Sequence, residues 1–206
     1  KLALPRIVSA GNVAGEGVEV SFDVSYHPYQ LDPNAAPGVS GPVVEAYAKK
    51  FGGLERAEAI LATVTATAAD VGLEFHMDKA LRANTLLAHR VIWLAGQPDS
   101  RVDQDDVKER LLAAYFTDGL DIGDPGVLAD CAADVGLDRD DVMAFLRSDR
   151  GLAEVAAELE VARDNGITAV PTYVINGQWA IPGAQEPATF AKVLRKVADQ
   201  AVAQQS

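Results

Sequence analysis

Two short stretches of the chain alternate apolar and polar residues with a period of two, and they stand far apart in a sequence of 206 residues. The first is VEVSFDV (18–24), where Val18, Val20, Phe22 and Val24 alternate with Glu19, Ser21 and Asp23 until Pro28 stops the ladder. The second is TYVINGQWAI (172–181). Its Asn176-Gly177 pair fits a type I′ turn, which needs positive φ at both central residues, so 172–175 and 178–181 are expected to pair as an antiparallel hairpin. Between them the apolar spacing is helical. It predicts helices over Pro42–Phe51, Leu54–Val71, Asp78–Ala95, Gln104–Thr117, Gly126–Val135, Arg139–Leu146 and Gly151–Asn165. Gly72, Gly136 and Gly166 follow helices as C-cap candidates. A last helix near Pro187–Ala201 puts Phe190, Leu194, Val197 and Ala201 on one face, and Lys1–Ser9 reads as the end of a helix running into the first strand. A strand and a hairpin this far apart imply one α/β domain built from residues 1–36 and 151–206, interrupted by a helical insertion over 37–150.

Charge and composition exclude several functions. With 30 acidic against 18 basic residues the chain carries a net charge of -12, which repels phosphate backbones and argues against nucleic-acid binding. No apolar run approaches the length that spans a bilayer, and no signal peptide is visible, so no membrane partner and a cytoplasmic location are expected. The single cysteine, Cys131, lies on an apolar helix face with Val127, Leu128 and Val135 and has Asp130 and Asp134 as neighbours, the setting of a buried, unreactive thiol. His27, His76 and His89 lack metal-ligand spacing, and one cysteine cannot complete a zinc site, so no metal is expected. Gly38-Val39-Ser40-Gly41-Pro42 ends in proline where a nucleophile elbow needs glycine. Gly15-Glu16-Gly17 precedes its strand instead of following it, which fails as a dinucleotide loop. The acidic stretches DQDDVKER and DIGDPGVLAD lack the glycine and terminal glutamate of a calcium loop.

The stretch AVPTYVINGQWAIPGAQ closely resembles the C-terminal half of a thioredoxin-fold domain. With HPYQLDPNAAP (27–37), NTLLAHR (84–90), AYFTDGLDIGDPGVLADCA (114–132) and GITAVPTYVING (166–177), in that order, the chain resembles the DsbA-like family in its FrnE branch, which is similar to the hydroxychromene-carboxylate isomerases. The resemblance implies a thioredoxin-like α/β core with an inserted all-helical domain. It implies thiol–disulfide exchange with a protein or peptide substrate, through a C-x-x-C pair at the start of the first core helix, without a cofactor. The sequence holds no C-x-x-C, and the pair is expected just upstream of Lys1, so the 206 residues themselves are expected to be redox-inactive. Two other readings stay open. One is a glutathione-dependent isomerase, in which a serine stands for the first cysteine. The other is a peptide-binding module without redox chemistry. A homodimer is compatible with all three. The resemblance also implies a cis Val170–Pro171 bond, with Val170, Pro171 and Thr172 forming a substrate-binding loop, and Asn84 and His89 approaching the same cleft.

Overall fold

The structure, a computed structural model, describes residues 23–205, with side chains through Gln200. The expected helix over 1–9 and strand residues 18–22 lie outside these. Asp23–Gln30 forms no regular element. The described residues fall into two compact units, one spanning Ser25–Gly166 and the other containing the chain from Ile167 onward.

The first unit is helical. Gly41–Pro42 (β1) pairs antiparallel with Leu81–Arg82 (β2) and leads into α1 (Val43–Phe51) and α2 (Leu54–Asp70). Then follow α3 (Leu86–Ala95), α4 (Gln104–Ala113), α5 (Pro125–Asp134), α6 (Arg139–Arg147) and α7 (Leu152–Asp164). The starts of α5 and α6 are written in their caps. Asp124 accepts from the N–H of Val127 with Pro125 at the first helical position, and Asp138 accepts from the N–H groups of Asp140 and Asp141. The apolar faces of α3, α4, α5 and α6 meet in one core containing Val91, Val107, Leu128, Cys131, Val142 and Phe145. A smaller core joins Val43 of α1 and Leu61 of α2 to Met77 and Ala80, with Phe75 stacked on Phe116 at 4.3 Å.

Two helices differ from their expected extents. The periodicity of 78–95 predicts one helix, but helix begins only at Leu86. Asn84 Oδ1 accepts the N–H of Leu86, an Asx-type turn, and the preceding residues are drawn into the β1–β2 ladder, with Val43 N–H donating to Ala80 O. The helix expected over Gln104–Thr117 leaves α geometry after Ala113 and widens into a π-helical turn, Ala114–Asp118. There the carbonyl of Phe116 accepts from His76 N–H at 2.6 Å, tying the loop before β2 to the turn. Gly119 closes the turn at φ 70°, and a Cβ there would lie 2.5 Å from Lys79 Cβ, so this position admits glycine alone.

In the second unit, Thr172–Ile175 (β3) and Trp179–Pro182 (β4) form the hairpin, followed by α8 (Pro187–Gln205). Asn176 (φ 51°) and Gly177 (φ 67°) take the expected positive φ values, and Gln178 N–H closes the turn on Ile175 O. Yet Ile175 pairs with Trp179, not with Gln178, so the second strand runs 179–182 instead of 178–181. Gln178 is spent on the turn, and the register moves by one residue. That register puts Tyr173, Ile175, Trp179 and Ile181 on one face. This face packs on α8, where Phe190 meets Tyr173 edge-on at 4.7 Å and Lys196 lies over Trp179.

Candidate functional site

The five residues singled out by sequence occupy two places, one in each unit. Val170, Pro171 and Thr172 form the entrance to β3. The Val170–Pro171 peptide bond is cis. Pro171 has no N–H to offer a ladder, but its carbonyl is used, accepting from Gly183 N–H at 2.7 Å just beyond the Thr172–Pro182 pair. Thr172 Oγ1 donates to Ala169 O at 2.8 Å and closes the loop on itself. Val170 is thus the first residue outside the hairpin's hydrogen bonding. Among the described residues none bonds to its N–H or C=O, and its side chain is 43% exposed. A free donor and acceptor beside an exposed apolar side chain can receive one residue of an extended peptide as a strand edge does.

Asn84 and His89 flank the first turn of α3, and both are committed to the irregular segment that carries HPYQLDPNAAP. Asn84 Nδ2 donates to Ala35 O at 2.6 Å, while its Oδ1 accepts from Gln30 Nε2 at 3.2 Å and from Leu86 N–H at 2.9 Å. His89 Nε2 donates to Tyr29 O at 3.1 Å. Burial pulls the imidazole below its ordinary pKa, and the bond to Tyr29 offsets this in part. The segment is held further along by Gln104, whose amide accepts from Tyr26 N–H at 2.7 Å and donates to Tyr26 O at 3.1 Å, as a strand neighbour would. Tyr26 OH donates to Asp105, and burial together with that bond raises its pKa. Arg82 pairs with Asp32. Two of the stretches that carry the family resemblance are therefore bonded to each other.

Sequence reading missed Arg90, the last residue of NTLLAHR. The residue is 2% exposed, yet among the described residues no carboxylate faces it at bonding distance. The guanidinium donates to the carbonyls of Phe145, Leu146, Ser148 and Arg150, over the C-terminus of α6, and lies over the Phe145 ring at 4.9 Å. A cation here satisfies carbonyls that the helix end leaves free and meets the negative end of its dipole. The signal was available: Arg90 interrupts the apolar run LLAHRVIWLA beside Val91, on a helix whose periodicity buries that face.

Cys131 lies in the helical core, 2% exposed, and burial raises its pKa, with Arg110 acting in the opposite sense. It has neither a partner thiol nor access. Among the described residues no three histidine, cysteine or carboxylate side chains gather as a metal site, and no helix is long and apolar enough to cross a membrane.

Comparison with known proteins agrees with this architecture. No curated protein matches the chain significantly. Among solved structures, a probable DsbA oxidoreductase from Streptomyces coelicolor is similar, with a TM-score of 0.78 and 27% identity over 95% of this chain and 82% of that one. The fold is accordingly the DsbA-like thioredoxin fold, mostly helical with a small sheet. Residues 2–195, nearly the whole chain, match the DSBA-like thioredoxin domain, and the chain belongs to that family.

Proposed function

We propose that the protein exchanges disulfides with extended protein or peptide substrates, which lie against Val170–Thr172 at the entrance to β3. The observation that carries this reading is the open backbone of Val170 in a chain of the DSBA-like family. A substrate residue accepting from Val170 N–H and donating to its C=O would be held extended, its disulfide fixed in direction for thiolate attack. The attacking thiolate forms a mixed disulfide and expels one substrate sulfur, and a second thiol resolves the mixed disulfide by forming a new one with the first. Cys131 supplies neither thiol. The two thiols are those of a C-x-x-C pair, which the 206 residues do not hold, and the insertion boundaries at 37 and 150 are part of the same reading.

The chain's single, buried cysteine favours a second reading, a glutathione-dependent isomerase of the hydroxychromene-carboxylate type, in which bound glutathione supplies the thiol. One experiment separates the two. The product of the whole gene, including any residues before Lys1, and the 206-residue chain are assayed side by side for insulin reduction and for glutathione binding by calorimetry. Turnover by the longer product alone, unchanged by Cys131→Ser, supports disulfide exchange. Glutathione binding without turnover supports the second reading. A longer product with neither property removes both.

A further inference from the structure

α2 is a surface helix without a charge from Ala59 to Ala69, in a unit where charge is abundant. Of the chain's 30 acidic and 18 basic residues, 25 and 13 lie between Ser25 and Gly166, leaving 5 and 5 for the rest. The full net charge of -12 therefore sits on this unit, and such a surface repels a second copy of itself wherever like charges meet. α2 buries Ala57, Leu61 and Ala68 toward α1 and the Met77–Ala80 loop. The opposite face carries Arg56, Ala59, Thr63, Ala66 and Asp70, all exposed and spaced alternately by three and four residues, the spacing of a helix–helix seam. Thr63 Oγ1 donates to Ala59 O and Thr67 Oγ1 to Thr63 O, both at 2.9 Å, so these hydroxyls are satisfied within the helix and can be dried without loss.

We infer that this face pairs with the same face of a second copy, the two α2 helices antiparallel about a two-fold axis at Thr63. The charges argue for that occupant. Arg56 stands seven residues before Thr63 and Asp70 seven after, so a two-fold at Thr63 brings Arg56 of each copy opposite Asp70 of the other. Neither residue has an ionic partner among the described residues. Between these end pairs the seam is alanine and threonine, small enough for close approach of the helix axes. An apolar groove of about 300 Å³ beside the seam, lined by Thr63, Thr67, Val71, Leu73 and Phe75, widens the contact toward the area that a stable dimer needs, roughly 1,200 Å² or more.

The test is the association state of the 206-residue chain, measured by sedimentation equilibrium from micromolar to several hundred micromolar. A dimer is expected. Asp70→Arg, which sets arginine against Arg56 twice per dimer, raises Kd by about tenfold or more. The double reversal Arg56→Asp with Asp70→Arg restores it. Ala66→Glu, an exposed change to a good helix former, yields monomer whose melting curve matches that of the wild type diluted below its Kd. Thr63→Cys cross-links the two copies under mild oxidation, because only residues at the two-fold come within disulfide reach and Cys131 is buried. A wild-type chain that stays monomeric throughout overturns the inference. So does a dimer that survives Ala66→Glu and fails to cross-link through Thr63→Cys.

Discussion

Replacing Arg90 by alanine probes the α3–α6 contact. The guanidinium is the donor to the carbonyls of Leu146, Ser148 and Arg150, whereas Phe145 O also accepts from the N–H and hydroxyl of Ser148. Alanine leaves three carbonyls short of a donor, and a buried polar group without a partner costs about 1–3 kcal/mol. It also uncovers the Phe145 ring. Water reaching the vacated space recovers part of the loss, which brings the expected destabilisation to about 3–5 kcal/mol. Arg90→Met fills the space without donors and should cost nearly as much. Arg90→Lys keeps the charge and some of the bonds and should cost about 1–2 kcal/mol less than alanine. The assay is urea unfolding followed by Trp93 fluorescence in a Trp179→Phe background, since Trp93 stacks on Phe145 at 6.4 Å and reports on this unit. With a slope of about 2 kcal/mol per molar, the alanine midpoint falls by about 2 M. A fall below about 0.5 M, or equal midpoints for Ala and Lys, would refute the view that donation to these carbonyls, and not the bulk of the side chain, holds α6 to α3.

Three further outcomes are expected. Because burial depresses the pKa of His89, the unfolded chain binds its proton first, so stability from this group is full above the unfolded value near 6.5 and falls with pH through the lower folded value; His89→Gln should flatten the acid limb of a midpoint-against-pH curve, and an identical curve would count against the assignment. The Cys131 thiol, buried and raised in pKa, should resist iodoacetamide at pH 8 in the native chain and react fully in urea, whereas rapid native labelling would show an open core. Gly151 sits at φ 74° with a Cβ position 2.8 Å from Trp93 Cε3, so Gly151→Ala should lose about 2–4 kcal/mol, from left-handed backbone and overpacking together; a loss under about 1 kcal/mol would mean that the α6–α7 junction yields easily.

Where local chemistry decides a structure, the residues announced it. Asp124-Pro125 and Asp138 mark the starts of α5 and α6, and Asn176-Gly177 marks the turn of the hairpin. Where a residue had two options, distant contacts chose between them. Gln178 is as good a first strand residue as a last turn residue, and its N–H went to Ile175 O. Residues 78–85 carry helical spacing, yet β1 captures Leu81–Arg82. In the π-helical turn, the extra residue aims Phe116 O at His76 N–H, a partner forty residues earlier that no local pattern contains. The proline at the entrance to β3 was legible because a proline before a strand is conspicuous. The bonding partners of Asn84 and His89 were not, since Ala35 and Tyr29 lie 49 and 60 residues away.

That distance changes how NTLLAHR is understood. Three of its polar side chains face different parts of the chain: Asn84 toward Gln30 and Ala35, His89 toward Tyr29, and Arg90 toward the end of α6. Segment 25–36 has no ladder or helix of its own, and beside the turn bond from Ala35 N–H to Asp32 O the backbone groups of Tyr26, Tyr29 and Ala35 take side chains as partners. One helix end thus fixes an irregular segment on one side and a helix C-terminus on the other. In such an arrangement, lost activity in an Asn84 or His89 variant is not by itself a sign of substrate contact. A residue that touches substrate changes KM or rate while amide exchange over residues 26–35 stays as it was. A residue that only holds the segment releases that exchange first, and the activity follows it. Asn84 and His89 both bond to the segment, so the two readouts taken together decide to which group each belongs, and the same pair of readouts applies to Val170, whose backbone is open.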